Sequence, residues 1–134
     1  MFYTYIITNQ FKGKLYTGHT EDLGQRIEQH VYKIFPGWAS KYSCRYLLWY
    51  EEFESRDLAF KRERRIKAWK REWKINLIEK TNPDWLDIMA CPTWPLPEGE
   101  LFDDLRAKAY REARIPIGKR LDAYPMSLPL PAQG

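Results

Sequence analysis

The sequence predicts an α+β domain, three strands with helices laid against them, followed by a proline-rich extension. Two runs rich in aromatic and β-branched residues, 2–8 and 14–19, flank the turn-forming stretch 9–13, which reads as a hairpin. A third such run occupies 45–53. Elsewhere, apolar residues recur at the spacing of one helix face.

In the first strand, Tyr3, Tyr5 and Ile7 share a face by period two, and in the second Tyr16 and Gly18 do so. A helix then starts near Asp22, which with Gln25 resembles a capping box, and runs to about Tyr32. Its apolar stripe is Leu23, Ile27 and Val31, and Arg26 and His30 sit one turn apart. Residues 33–43 form a loop holding Trp38 and Tyr42; these and Trp94 further on are either packing aromatics or platforms on which bases could stack. After the third strand, Ser55 or Asp57 caps a helix whose inward face is Ala59, Ile66, Trp69, Trp73 and Leu77, with a bend or break near Arg71 and an end by about Lys80. Seven of nine prolines lie beyond position 88, where a short helix within 99–114 presents Leu101, Leu105 and Ala109. Residues 1–88 therefore read as the working domain. Residues 89–134 read as an extension that is expected to be partly disordered, with 126–134 as its tail.

Composition narrows the function. At 134 residues and 44% hydrophobic, the chain suits one domain with a packed core. The net charge of +4 belongs to residues 1–88, with 16 Lys and Arg against 12 Asp and Glu, while 89–134 is neutral. Eight basic residues fall within 61–74 against Glu63 and Glu72, a cluster that attracts polyanions unless it is simply a solvated helix face. Cys44 and Cys91 form neither a metal pattern nor a disulfide framework and suit free thiols in the cytoplasm. No signal peptide and no apolar run of membrane-spanning length is expected.

Four positions carry candidate chemistry. Tyr16 is either an ordinary strand aromatic before a glycine or the base for an attacking water. A phenol in water ionises only near about pH 10, and a cation close by favours the phenolate. Arg26 is either a solvated helix arginine or a forked phosphate clamp that stabilises charge developing during attack. His30, beside Arg26, is a proton relay or phosphate ligand, or a half-buried structural histidine; His19 is the second histidine candidate. Gly18 would let backbone approach a phosphate. Glu63 falls beside the inward stripe on the helical wheel. It is either a salt-bridge partner of Arg64, Lys67 or Arg26, or the ligand of Mg²⁺, an ion that commonly takes only one or two protein carboxylates. The reading requires phenol, guanidinium and carboxylate to open onto one groove, and a Glu63 locked in an internal ion pair would remove it.

These blocks resemble the GIY-YIG nuclease superfamily, in particular its small standalone bacterial branch, over about residues 2–88. Tyr3-Thr4-Tyr5 stands for Gly-Ile-Tyr, keeping the last tyrosine, and Tyr16-Thr17-Gly18 stands for Tyr-Ile-Gly. Leu23 to His30 is similar to the family's Leu-x-x-Arg-x-x-x-His helix, and Ala59 to Trp69 to its Ala-x-x-x-Glu-x-x-Ile-Lys-x-Trp helix. The resemblance implies a three-stranded antiparallel sheet flanked by helices. It implies Tyr16 as general base, Arg26 on the scissile phosphate, Glu63 holding one Mg²⁺ or Mn²⁺, and Tyr5 and His30 completing the site. His19 stands where some members carry lysine. A downstream asparagine, used by longer members, has Asn76 and Asn82 as candidates. The leading expectation is a metal-dependent DNA endonuclease of repair or recombination type, with structure-specific action on branched, flapped or damaged substrates as one form of it and RNA also open. The alternative is a nucleic-acid-binding module that is non-catalytic or relies on a protein partner for targeting, gripping the polyanion with Lys61, Arg64, Lys67 and Lys70. A third is an interaction scaffold through the proline-rich end.

Overall fold

The computed structural model describes residues 1–33, 37–91 and 93–118. Three strands form the sheet: β1 (Phe2–Thr8), β2 (Leu15–Thr20) and β3 (Tyr46–Phe53), in the order β2-β1-β3 and antiparallel throughout. The helices are α1 (Leu23–Val31), α2 (Trp38–Lys41), α3 (Arg56–Lys67), α4 (Arg71–Thr81) and α5 (Asp103–Ala113). The expected α+β class and antiparallel sheet are therefore present. Short α2 lies within the stretch expected to be loop.

Strand register divides the side chains between two cores. Tyr5 pairs with Gly18 and Ile7 with Tyr16, so these four share a face. That face packs on Ile27 of α1, Ala39 of α2, Cys44 and Ile88, with Trp38, Tyr42 and Trp94 against it. These three aromatics thus belong to the packing around the sheet. The opposite face, with Ile6 and Leu15, meets Ile66 of α3, Ile78 of α4, Trp85 and Ile115. Between Ile6 and Ile7 the pairing with β3 slips from Trp49 to Leu47. The extra residue, Leu48, is a bulge that sends both Leu48 and Trp49 into the same core.

Local signals set the helix starts. Asp22 Oδ1 accepts from the Gln25 amide at 3.0 Å, and Ser55 Oγ from the Leu58 amide at 3.2 Å. The long helix after β3 is two helices, broken at Ala68–Lys70, residues that lie outside both α3 and α4. The break re-aims the second half. Ala59, Glu63 and Ile66 are buried as their spacing predicts, but Trp73, placed on the same inward stripe, is 51% exposed. Helical periodicity does not carry across a turn that is not helical.

The segment after Ile88 shares the core of what precedes it. Ile115 is 1% exposed in the cluster around Trp85. Leu86 bridges Arg114, the Asp87 amide donates to the Ala113 carbonyl at 2.6 Å, and the Phe11 amide donates to Pro116 at 3.1 Å. α5 buries Ala109 and Ala113, whereas Leu101 precedes the helix and is 94% exposed. The stripe predicted through Leu101 is thus replaced by one of small residues that allow close approach to Leu86 and Cys91. The expected tail, 126–134, lies outside the described residues.

Candidate active site

The site assembles at β2, the edge strand. Tyr5 crosses from the central strand toward α1, where its hydroxyl meets both candidate side chains of that helix, Arg26 and His30. Arg26 Nε donates to Tyr5 Oη at 3.3 Å, and Tyr5 Oη lies 2.8 Å from His30 Nε2. Since a guanidinium only donates, the Tyr5 hydroxyl accepts from Arg26 and donates its own hydrogen bond to His30 Nε2. That direction assigns the His30 proton to Nδ1. Burial, reinforced by the Arg26 charge, lowers the His30 pKa to about 4, so the ring is neutral near pH 7. Burial likewise pushes the Tyr5 phenol upward against the opposing hydrogen bond from Arg26, keeping it protonated. For Arg26 burial works against the charge, and the Tyr5 and Tyr16 hydroxyls outweigh it, leaving its pKa raised. Arg26 Nη1 also donates to Gln29 Oε1 at 3.2 Å.

Tyr16 stands next to this chain of contacts. Its ring lies edge-on to His30 at 5.4 Å between centroids and stacks on Trp38 at 6.5 Å. Tyr16, Arg26, Gln29, His30 and Trp38 line one recess of about 60 Å³. Arg26 is shared with a wider groove of about 760 Å³ that includes Tyr3 and His19.

Gly18 has a role that differs from the one expected. A Cβ there would lie 2.5 Å from Tyr5 Oη and 2.7 Å from Tyr5 Cζ. The missing side chain makes room for the Tyr5 hydroxyl as it reaches α1. Gly18→Ala should displace the buried Tyr5 ring, costing about 1–3 kcal/mol as overpacked cores do. It should also uncouple Tyr5 from Arg26 and His30. A lowered melting temperature together with weaker catalysis is the expected result; an unchanged melting temperature would show that the ring yields freely.

Glu63 approaches from α3 and is not among the residues lining either of these recesses. It is 7% exposed, and Oε1 lies 2.8 Å from His19 Nδ1. Oε2 pairs with Lys67 Nζ at 3.3 Å. This ion pair is not internal, because the Lys67 side chain is 46% exposed and that of His19 24%. Each carboxylate oxygen thus has a solvent-reaching partner. Lys67 Nζ also sits 5.6 Å from the Tyr16 ring centre, linking the carboxylate to the phenol around the edge of β2. The residues present suit a single hard cation: Glu63 offers one carboxylate, and its counter-charge is a partly exposed lysine that a metal can displace. Among the described residues, no group of three or more His, Cys, Asp or Glu is placed to hold a metal.

Of the other basic candidates, Lys61 pairs with Asp57 at 2.9 Å, the Arg64 guanidinium lies 5.8 Å from the Phe60 ring centre, and Lys70 is exposed just before α4. Asn82 is 1% exposed and bound to backbone at Leu48 and Leu86, while Asn76 is exposed beside Trp73. Sequence reasoning missed the double contact of Lys67. The i, i+4 spacing from Glu63 carried half of it, but no spacing reports the approach to Tyr16.

A family model for the GIY-YIG catalytic domain matches residues 1–76. The chain belongs to the GIY-YIG family. Two UPF0213 proteins of Staphylococcus aureus, from strains Mu3 and Mu50, are each 35% identical to it over 72 residues, covering 51% of this chain and 83% of each relative. No solved structure matches significantly. The GIY-YIG match spans the three strands and α1 to α3, the elements that carry Tyr5, Tyr16, Arg26, His30 and Glu63, and the family is one of nuclease type. Among the described residues, no helix is long and apolar enough to cross a membrane.

Proposed function

We propose that this GIY-YIG protein is a metal-dependent endonuclease that hydrolyses DNA phosphodiester bonds, with branched or flapped DNA as its preferred form. One observation carries the reading: Arg26 is fixed by Tyr5 in the same recess that holds Tyr16, with Glu63 joined to them through Lys67. The phosphate to be cut lies against Arg26, whose charge is independent of pH in the working range. Acting as the phenolate, a form that neighbouring cations favour, Tyr16 takes the proton of the attacking water. The water oxygen bonds to phosphorus as the bond to the leaving strand's oxygen breaks, and the Arg26 guanidinium stabilises the charge that builds on the phosphate oxygens. Tyr5 and His30 touch neither water nor phosphate in this scheme. They orient Arg26, and a neutral His30 accepts the Tyr5 proton and so keeps the phenol in place. Glu63 would hold a divalent ion, Mg²⁺ or Mn²⁺, which would supply Lewis-acid stabilisation of phosphate oxygens. Lys61, Arg64, Lys67 and Lys70 add the positive field that gathers the polyanion. His19 helps to position Glu63. Two free, buried thiols, Cys44 and Cys91, suit work in the cytoplasm.

Nicking of plasmid and branched DNA, with Mg²⁺ and with chelator, tests this. Glu63→Gln keeps the side chain's size and should lower cleavage by about 10²-fold or more. Cleavage that ignores both the chelator and Glu63→Gln would refute the metal role. Salt-sensitive DNA binding with no turnover under any divalent ion would instead favour a binding module.

A further inference from the structure

Three cations crowd together where α3 ends and α4 begins. Lys74 is 8% exposed, and among the described residues no hydrogen bond or ion pair is found for its ammonium. Arg71 donates through Nη2 to the carbonyls of Lys12 and Gly13, at 2.9 and 2.6 Å, and so clamps the β1–β2 turn. Its Nη1 is buried with no hydrogen-bond partner, the only such side-chain atom among the described residues. Lys74 Nζ, also without a partner, therefore keeps a path to solvent. Lys67 completes the group. Arg71 and Lys74 are neighbours by i, i+3 spacing on α4. Consistent with that grouping, burial lowers the pKa of Lys74 and the charges of Arg71 and Lys67 lower it further. Arg71 and Lys74 also occupy the first turn of α4, the positive end of a helix dipole, where cations are disfavoured. The carboxylate paired with any of the three is Glu63, on Lys67.

Holding like charges together, with Lys74 buried among them and one counter-charge between the three, is costly unless an anion joins them. We infer that Lys67 and Lys74, backed by Arg71, form a subsite for a backbone phosphate of the nucleic-acid strand, next to the phosphate received by Tyr16 and Arg26. Lys67 sets the location, since its ammonium lies against the Tyr16 ring. Lys67 and Lys74 touch the phosphate oxygens. Arg71, sealed behind them, holds the turn before β2 and adds its charge. The subsite places the strand along the β2 edge, so that the reacting phosphate is presented to Arg26. This assignment rests on the endonuclease reading.

The test uses the full chain carrying Tyr16→Phe, so that binding is read without turnover. Affinity for a short labelled branched DNA is measured across a range of salt. Lys74→Met should weaken binding and reduce the slope of log K against log salt by about 0.9, one phosphate contact. Lys74→Arg should restore both. Lys108→Gln, which removes an exposed lysine on α5, should change neither. In the chain that keeps Tyr16, Lys74→Met should raise KM about tenfold with kcat within about twofold. Melting temperature checks the fold, and if Lys74→Met is unstable, Lys67→Gln on the Tyr16→Phe background reads the same slope. An unchanged slope in a folded Lys74→Met protein, or an equal loss in Lys108→Gln, would overturn the subsite. If Tyr16→Phe itself still cleaves, the endonuclease mechanism fails while the salt slope continues to report on the subsite alone.

Discussion

Tyr16→Phe should reduce DNA nicking by about 10³-fold, within the range for loss of a positioned general base, while leaving the fold intact. The substitution removes one oxygen from a half-buried side chain. The ring keeps its stacking on Trp38 and its edge contact with His30, so the melting temperature should move little. Arg26 keeps its bonds to Tyr5 and Gln29 and still receives the phosphate. Binding should therefore persist, and the loss should appear in kcat with KM nearly constant. Single-turnover cleavage with saturating Mg²⁺ reads this directly. A variant that cleaves at the parent rate would exclude the phenol as base and shift attention to water held by other groups.

Asn82→Ala should give the largest loss of stability. Asn82 is buried, and its amide donates to the carbonyls of Leu48 at 3.1 Å and Leu86 at 2.9 Å. Its Oδ1 accepts from the Leu86 amide at 2.9 Å. Truncation leaves these backbone groups unsatisfied in the core, at about 1–3 kcal/mol for each lost partner, so roughly 3 kcal/mol or more across the three bonds. The same residue closes the turn in which Trp85 takes a left-handed backbone, with φ of 54°, while its side chain is fully buried. A bulky residue holds that conformation only where its surroundings enforce it. Urea unfolding should show a lower midpoint, and nicking per folded molecule should be unchanged. A loss of kcat in Asn82→Ala without a change in midpoint would instead make it a site residue.

Individual residues show what was legible in advance. Tyr5, Tyr16 and Gly18 lie on one face because strand periodicity is local and exact, and the hairpin aligns Tyr5 with Gly18. Glu63 lies between Ala59 and Ile66 on the buried side of α3, as a helical wheel requires. Arg26 and His30 are neighbours by i, i+4 spacing, yet what they share is the Tyr5 hydroxyl, which only the packing of α1 on the sheet supplies. Trp73 looked like core because its spacing continues that of α3, and a three-residue interruption rotated it into solvent. The purpose of Gly18 was obscure for the same reason: the group that needs its space comes from the neighbouring strand.

The amino-acid order alone determined the strands, a helix start at Asp22 and another at Ser55 or Asp57, the family, and which residue types could perform hydrolysis. These depend on backbone preference, capping and periodicity, all of which act over a few residues. Folding in three dimensions decided that Lys67 would join Glu63 to Tyr16, that Asn82 would serve backbone groups, and that Ile115 would complete the core around Trp85. Such contacts arise between segments far apart in the chain, where side-chain packing and the need to satisfy buried polar groups choose the partners.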